Sequence, residues 1–423
     1  MNKIFNSIPL PTRAPDGEYD CGRGSYMLLW GDSSPDEFER LCGDITASGF
    51  KLFDRTDIEG SIHCTFAGKP VLHAWYCPCE RALRLTADPY TALYNTAPER
   101  CERKYSNTLW QFEVDHSLID CGMCYIVRCC DGSFFVIDSA HMYSVNDDIR
   151  IIEFLRKLNG GAKPTVAGWF FSHGHEDHVA KFSDIVEFHS GEVDFEAVYY
   201  NFPSYGHPDN EEWGECGKQV MHRFERKLDE HPEIKKVRLH TGQRFFVRDL
   251  EFSVLCTHED IYPNPLSNFN DSSTAIMMTA GGCKVLFPGD CAAESDKVFL
   301  RRYHDALKCS VVQVSHHGHS GTSSEFYRRA GAECVLFPIT EIKFAEEWDK
   351  QEPNRVAVDI AKEYHIASNG TVEIPLPYSF GGTKRLPDET FEDFDGIFAL
   401  WCYEYTDEYK EKLRREFLER SKE

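Results

Sequence analysis

The chain has no run of about eighteen consecutive apolar residues. Its first stretch, Met1 to Asp20, holds no apolar core of about seven residues. The first absence excludes a membrane-spanning helix, and the second points away from a secretory signal, so a cytoplasmic location is expected. Positive charge is also scarce: 46 Lys and Arg face 69 Asp and Glu, a net charge of -23. Such a surface repels polyanions, which disfavours long nucleic acid as a partner and leaves a small-molecule substrate as the expectation. There is no internal repeat, no low-complexity tract and no Gly-x-Ser-x-Gly elbow to supply a serine nucleophile. Cysteine, by contrast, is abundant at 17 residues, an odd count. Without an export signal these read as reduced thiols, mostly small buried hydrophobes. Cys124 to Cys130 lies in a strand-like run, where packing is a simpler account than a metal knuckle.

The pattern divides the chain into three parts. Residues 1–105 read as a small α+β domain and linker, through which homo-oligomers could form. Ser25 to Trp30 is a short strand; Ser34-Pro35-Asp36-Glu37 is a capping-box start, followed by Phe38, Leu41, Cys42 and Ile45 at helical spacing. Strands are expected at Ser61–Phe66, Val71–Cys77 and Ala82–Thr86, then a polar linker from Asp88 to Ser106. Residues 106–385 alternate strands and helices. Asp131-Gly132 marks a hairpin turn, and the apolar strand Thr165 to Phe171 runs straight into a histidine cluster. Residues 386–423 form a charged tail with a helix expected over Glu404 to Lys422.

That cluster, His173-Gly174-His175-Glu176-Asp177-His178, sets three imidazoles and two carboxylates in six residues after a buried strand. Alternate residues His173 and His175 can point to one metal ion, and the adjacent pair Asp177 and His178 to a neighbouring one. Imidazole and carboxylate donors without thiolate suit Zn²⁺ first, with Mn²⁺ or Fe²⁺ acceptable.

His-x-His-x-Asp-His at a strand end resembles the metallo-β-lactamase superfamily, and further elements follow in order over roughly residues 109–375. Asp138, ending Phe-Phe-Val-Ile-Asp, matches the early aspartate that orders the metal loop without ligating. Asp290, in Val-Leu-Phe-Pro-Gly-Asp, matches the carboxylate that bridges two metals. His317, directly before Gly318, matches the late histidine ligand, leaving His316 to contact substrate oxygen or stabilise developing charge. His258 stands where a mid-chain histidine ligand is expected, with His207 as its competitor.

The resemblance implies an α/β fold, an αββα sandwich preceded by the small α+β domain. It also implies a hydrolase with two Zn²⁺ ions, a bridging hydroxide that Asp177 helps to orient, and no side-chain nucleophile. The series Asn270-Asp271-Ser272-Ser273, Val285 to Asp290 and Gln313 to Gly318 is similar to the hydrolase domains of DNA-uptake competence proteins and phosphorylcholine esterases. It implies phosphoester or phosphodiester hydrolysis, here of a small substrate. Carboxylic esters, lactones or thioesters would use the same hydroxide, and a metal-retaining regulatory protein without turnover is a further reading. A flavodiiron oxidoreductase fits less well, because His175 stands where that type carries glutamate.

Overall fold

The computed structural model describes residues 2–387, apart from 118, 145, 207–213 and 267. The charged helix expected over 404–422 therefore lies outside the described residues. No helix among the described residues is long and apolar enough to cross a membrane.

Two sheets form the centre. The first runs, strand by strand, Lys235–Arg238, Ala197–Tyr200, Thr165–Phe170, Phe134–Ile137, Tyr125–Arg128, Thr108–Gln111, Val372–Pro375 and Lys384–Arg385, with Asp194–Phe195 beside Thr165. The second runs Arg244–Val247, Leu250–Cys256, Ala275–Ala280, Cys283–Phe287, Val311–Gln313, Cys334–Phe337 and Glu363–Ile366. One continuous apolar cluster joins their facing sides, with Phe135, Ile137 and Phe170 meeting Phe245, Phe252 and Phe287. Trp169 and Phe171 face the other way and pack under the helices Asp147–Leu158, Glu176–Phe188 and Gly214–Glu230. The outer side of the second sheet is covered by Ala293–Arg302, Ser324–Ala330 and Glu352–Ile360 through Phe299, Phe326 and Ala357. Helix, sheet, sheet, helix is the αββα sandwich expected from the sequence. Alternation explains it locally: residues i and i+1 of a strand serve different layers, so strands buried on both faces read as unbroken apolar runs.

The parallel strands decide where chemistry can sit. Phe134–Ile137, Thr165–Phe170 and Ala197–Tyr200 are mutually parallel, as are Cys283–Phe287, Val311–Gln313 and Cys334–Phe337. Loops leaving the carboxyl ends of parallel strands gather at one edge, where open α/β sheets bind their ligands.

The capping box at Ser34 and Glu37 forms as expected and starts the helix Pro35–Ala47. The six-stranded antiparallel sheet against which it packs is larger than the sequence suggested. Gly17–Gly22 and Lys51–Ile58 form its two edges, outside the four expected strands. The segment expected to be a linker is bonded to the sandwich: Ala92 N donates to Lys236 O at 2.7 Å and Glu99 N to Arg248 O at 2.9 Å. A buried polar network completes the joint. His63, His73 and His240 stack in series, with ring centroids 5.5 and 3.9 Å apart, and Glu259 lies 2.7 Å from His240 Nδ1. Burial opposes charge on His240, but Glu259 and Asp88 push it up to about 9.

Candidate metal centre

Strand Thr165–Phe170 ends beneath Ser172, and the helix Glu176–Phe188 begins at His175. His173 thus lies in the loop between strand and helix and His175 in extended backbone at the helix cap, whereas Asp177 and His178 occupy the first helical turn. Alternating and helical geometry meet at this point, which separates the motif into two pairs. The helix N-terminus also favours the Asp177 carboxylate.

Asp138 follows the neighbouring strand. Its carboxylate accepts from Ser172 N at 2.8 Å, Ser172 Oγ at 2.7 Å and His178 Nδ1 at 2.6 Å. It therefore points at the back of His178 and away from the donor cluster, and its φ of 55° shows backbone held in a conformation uncommon for aspartate. His317 is held likewise, its Nδ1 donating to Pro338 O at 2.7 Å. In its neutral form each imidazole would thereby present Nε2 as an acceptor to the same space, and those two atoms lie 3.3 Å apart.

Two carboxylates face the same point. Asp177 Oδ2 lies 2.8 Å from His317 Nε2 and 3.4 Å from His178 Nε2. Asp290 Oδ2 lies 3.4 Å from each of those nitrogens and 4.0 Å from His173 Nε2. Four buried groups, Asp177, His178, Asp290 and His317, place donor atoms within 4.8 Å of one another and can hold a metal ion. The second pair approaches closely too, with His173 Nε2 and His175 Nδ1 2.9 Å apart.

Electrostatics agree with a cation. Burial opposes charging, yet Asp177, Asp290 and Asp138 push His178 well above its ordinary range. Asp290 and Asp177 push His317, against the same burial, up to about 10. Conversely, despite burial, His178 and His317 hold Asp177 and Asp290 well below the carboxylate range. Asp290 Oδ1 is buried with no hydrogen-bond partner. Converging lone pairs and an orphaned carboxylate oxygen are stable only with positive charge among them, so the donor set fits divalent cations. Burial and the neighbouring imidazoles of His178 and His175 keep His173 well below its usual value, in the neutral form that ligates.

The turn carrying Asp290 is built by Gly289. Gln313 exchanges two hydrogen bonds with it, Gly289 N to Oε1 and Nε2 to Gly289 O, each 3.0 Å. Gly289 has φ +62°, and a Cβ there would stand 2.8 Å from Ser172 Cβ. Gly289→Ala should therefore push the Asp290 loop off the Ser172 strand end. We expect about 1–3 kcal/mol of destabilisation and weaker metal retention, read by chemical denaturation and metal analysis. Wild-type values on both would show that the close approach is unimportant.

The structure brings together His173, His175, Asp177, His178, Asp290 and His317, with Asp138 behind them. It does not bring His258 into that group. Thr257 and Asp260 cap a single turn beginning at His258, which aims the imidazole at Asn201, with Nε2 3.1 Å from Oδ1. Its charged surroundings are Glu259, Arg238, His240 and Asp260. His207 lies outside the described residues. His316 sits at the edge of the site, its Nε2 accepting from Asn270 Nδ2 at 3.1 Å, while Nδ1 has no partner. Sequence reasoning passed over Ser172, Gln313 and the Pro338 carbonyl. It also passed over His141 and His319, although each lies within three residues of a motif position. Burial pushes His319 down to about 4, aided by His317 and His316, and its ring centroid is 5.5 Å from that of His316.

No protein-family model matches the chain, and no curated protein matches it. Solved structures do. The chain is similar to YhfI from Bacillus subtilis, a metallo-β-lactamase fold protein, at 12% identity over 62% of this chain and 97% of that one, TM-score 0.39. It is similar to the short form of human tRNase Z at 9% identity over 56% and 94%, TM-score 0.32. It is also similar to CmlA, a diiron β-hydroxylase from Streptomyces venezuelae, at 14% identity over 68% of this chain and 55% of that one, TM-score 0.33. Likeness at this level assigns no reaction. The αββα layering stands on the strand order and cores described above.

Proposed function

We propose that this chain is a dinuclear metal-dependent hydrolase of the metallo-β-lactamase superfamily, acting on a small phosphoester or phosphodiester. The observation that carries the hydrolase reading is the buried convergence of Asp177, His178, Asp290 and His317 beside the His173 and His175 pair. Zinc, the first candidate for these donors, would supply a hydroxide nucleophile at neutral pH and polarise the scissile oxygen when bound. Asp177, His178, Asp290 and His317 would hold one ion, and His173 and His175, with Asp290 shared, a second. Asp138 and the Pro338 carbonyl keep two of those imidazoles in the ligating tautomer. His316, held by Asn270 and pushed down by burial, stays neutral and can donate one hydrogen bond to a substrate oxygen. The phosphoester reading rests on the likeness of the Asn270–Ser273, Val285–Asp290 and Gln313–Gly318 segments to the competence and phosphorylcholine esterase domains.

The test is metal analysis of the purified chain with a panel of aryl phosphomonoesters, phosphodiesters, lactones and thioesters. At least two metals per chain and preference for a phosphate ester are expected. Turnover confined to lactones or thioesters would overturn the substrate class, and a metal-free chain as purified would overturn the hydrolase. Stripping the metal with a chelator should also lower thermal stability. Ligand-linked stabilisation amounts to about 4 kcal/mol at a thousandfold excess over Kd, and restored zinc should return the melting temperature.

A further inference from the structure

A second group of metal-type donors lies at the opposite end of the second sheet. Cys334 and Glu363 begin two adjacent parallel strands and pair directly across them, while His365 pairs with Leu336 two residues on. The metal centre described above lies beyond the carboxyl ends of these strands, where Pro338 follows Phe337. Cys334 and Leu336 face the core between the sheets. Their partners Glu363 and His365 share that face, because side chains two apart on a strand point the same way. Glu363–Ile366 is the edge strand, so this face is only partly covered there.

Donor atoms of Cys334, Glu363 and His365 all lie within 4.8 Å of one another. The glutamate is oriented from behind: Tyr378 Oη donates to Oε1 and Thr383 Oγ1 to Oε2, each at 2.9 Å. The imidazole is not. Both ring nitrogens of His365 are removed from solvent, and neither has a hydrogen-bond partner among the described residues. A neutral imidazole carries one donor and one acceptor, and burying both unpaired is unfavourable unless something else occupies the lone pair. The nearest carboxylate oxygen to the ring, Glu363 Oε2, is 3.7 Å from Nε2, a separation that a shared cation would span. Thiolate, imidazole and carboxylate together are the ligand types of zinc.

We propose that Cys334, Glu363 and His365 bind one zinc-type divalent cation, with solvent in the fourth position, clasping the edge strand to the Tyr378–Thr383 segment. This site is structural and independent of the hydrolytic reading. Tyr378 and Thr383 are its outer support, in the manner of the hydroxyls and carboxylates that orient ligands in known metal sites.

Cobalt titration of the full metal-stripped chain tests it, because thiolate coordination adds a near-ultraviolet charge-transfer band that imidazole and carboxylate ligands do not give. The wild type should show the band by the third equivalent of cobalt, because the Asp290 centre competes for the first two, and Asp290→Ala should keep it. Cys334→Ser should abolish it, and His365→Gln should weaken cobalt binding at this site at least tenfold. Cys121 stands electrostatically close to Asp177 and Asp290, so Cys121→Ser is measured alongside and should retain the band. Absence of a thiolate band from the wild type would overturn the site, as would its survival in Cys334→Ser or its loss in Cys121→Ser. If Cys334→Ser does not fold, His365→Gln decides alone, and unchanged cobalt affinity there also overturns the proposal.

Discussion

Asp290→Ala should purify folded but depleted of metal, with hydrolysis reduced by about 10²–10³-fold or more. Asp290 reaches both halves of the centre: its Oδ2 is 3.4 Å from His178 and His317 Nε2 and 4.0 Å from His173 Nε2. Removing it takes a shared donor from two sites at once, which no single histidine substitution does. The fold should survive, because the turn is held by backbone groups. Gly289 pairs with Gln313, and Asp290 N donates to Ser273 Oγ at 3.1 Å. The variant, depleted at this centre, should even lose part of the repulsion among converging acceptors, so its melting temperature should respond less to chelator than that of the wild type. Metal content by mass spectrometry, melting curves with and without chelator, and initial rates measure the three effects. Full metal content in the variant would sink the bridging role, whatever the rate.

The edge that gathers the metal-type donors was legible because its residues sit where strands end. Asp138, His173 to His178, Asp290 and His317 each follow an apolar run, and parallel strands must release their loops on one side. Contributions from the backbone were not legible. The Pro338 carbonyl that fixes His317 has no side-chain signature, and the capped turn that aims His258 at Asn201 depends on Thr257 and Asp260 acting together. The two strands missed in the N-terminal sheet fail for a different reason. Lys51–Ile58 is an edge strand with five charged or polar side chains in eight residues, and Gly17–Gly22 begins and ends in glycine. Edges show no apolar alternation, since one side has no neighbour to bury against. The segment from Asp88 to Ser106 read as a linker because it is polar, yet its backbone bonds to Lys236 and Arg248 are invisible to composition.

The charges that join the six-stranded N-terminal sheet to the sandwich were equally hidden, and Asp260→Ala exposes how much they matter. Asp260 accepts from Arg84 and Arg302, and both guanidiniums flank the Trp75 ring, 4.1 and 4.6 Å from its centroid. Its other oxygen accepts from Thr241 and from Thr257 N. All three charged side chains are at most 5% exposed. Arg302 retains Glu80, at 2.7 Å, but Arg84 would be left buried without its carboxylate. Breaking such a pair from one side costs about 3–5 kcal/mol, most of it the penalty of the stranded charge. Urea denaturation should therefore show a large loss for Asp260→Ala and a smaller one for Arg84→Met with Asp260→Leu, which removes both buried charges. No donor of the metal centre touches Asp260, so metal content under folding conditions should be unchanged. A loss below about 1 kcal/mol, the range of an exposed pair, would mean that solvent reaches this network and that the six-stranded N-terminal sheet is held to the sandwich by apolar contact instead.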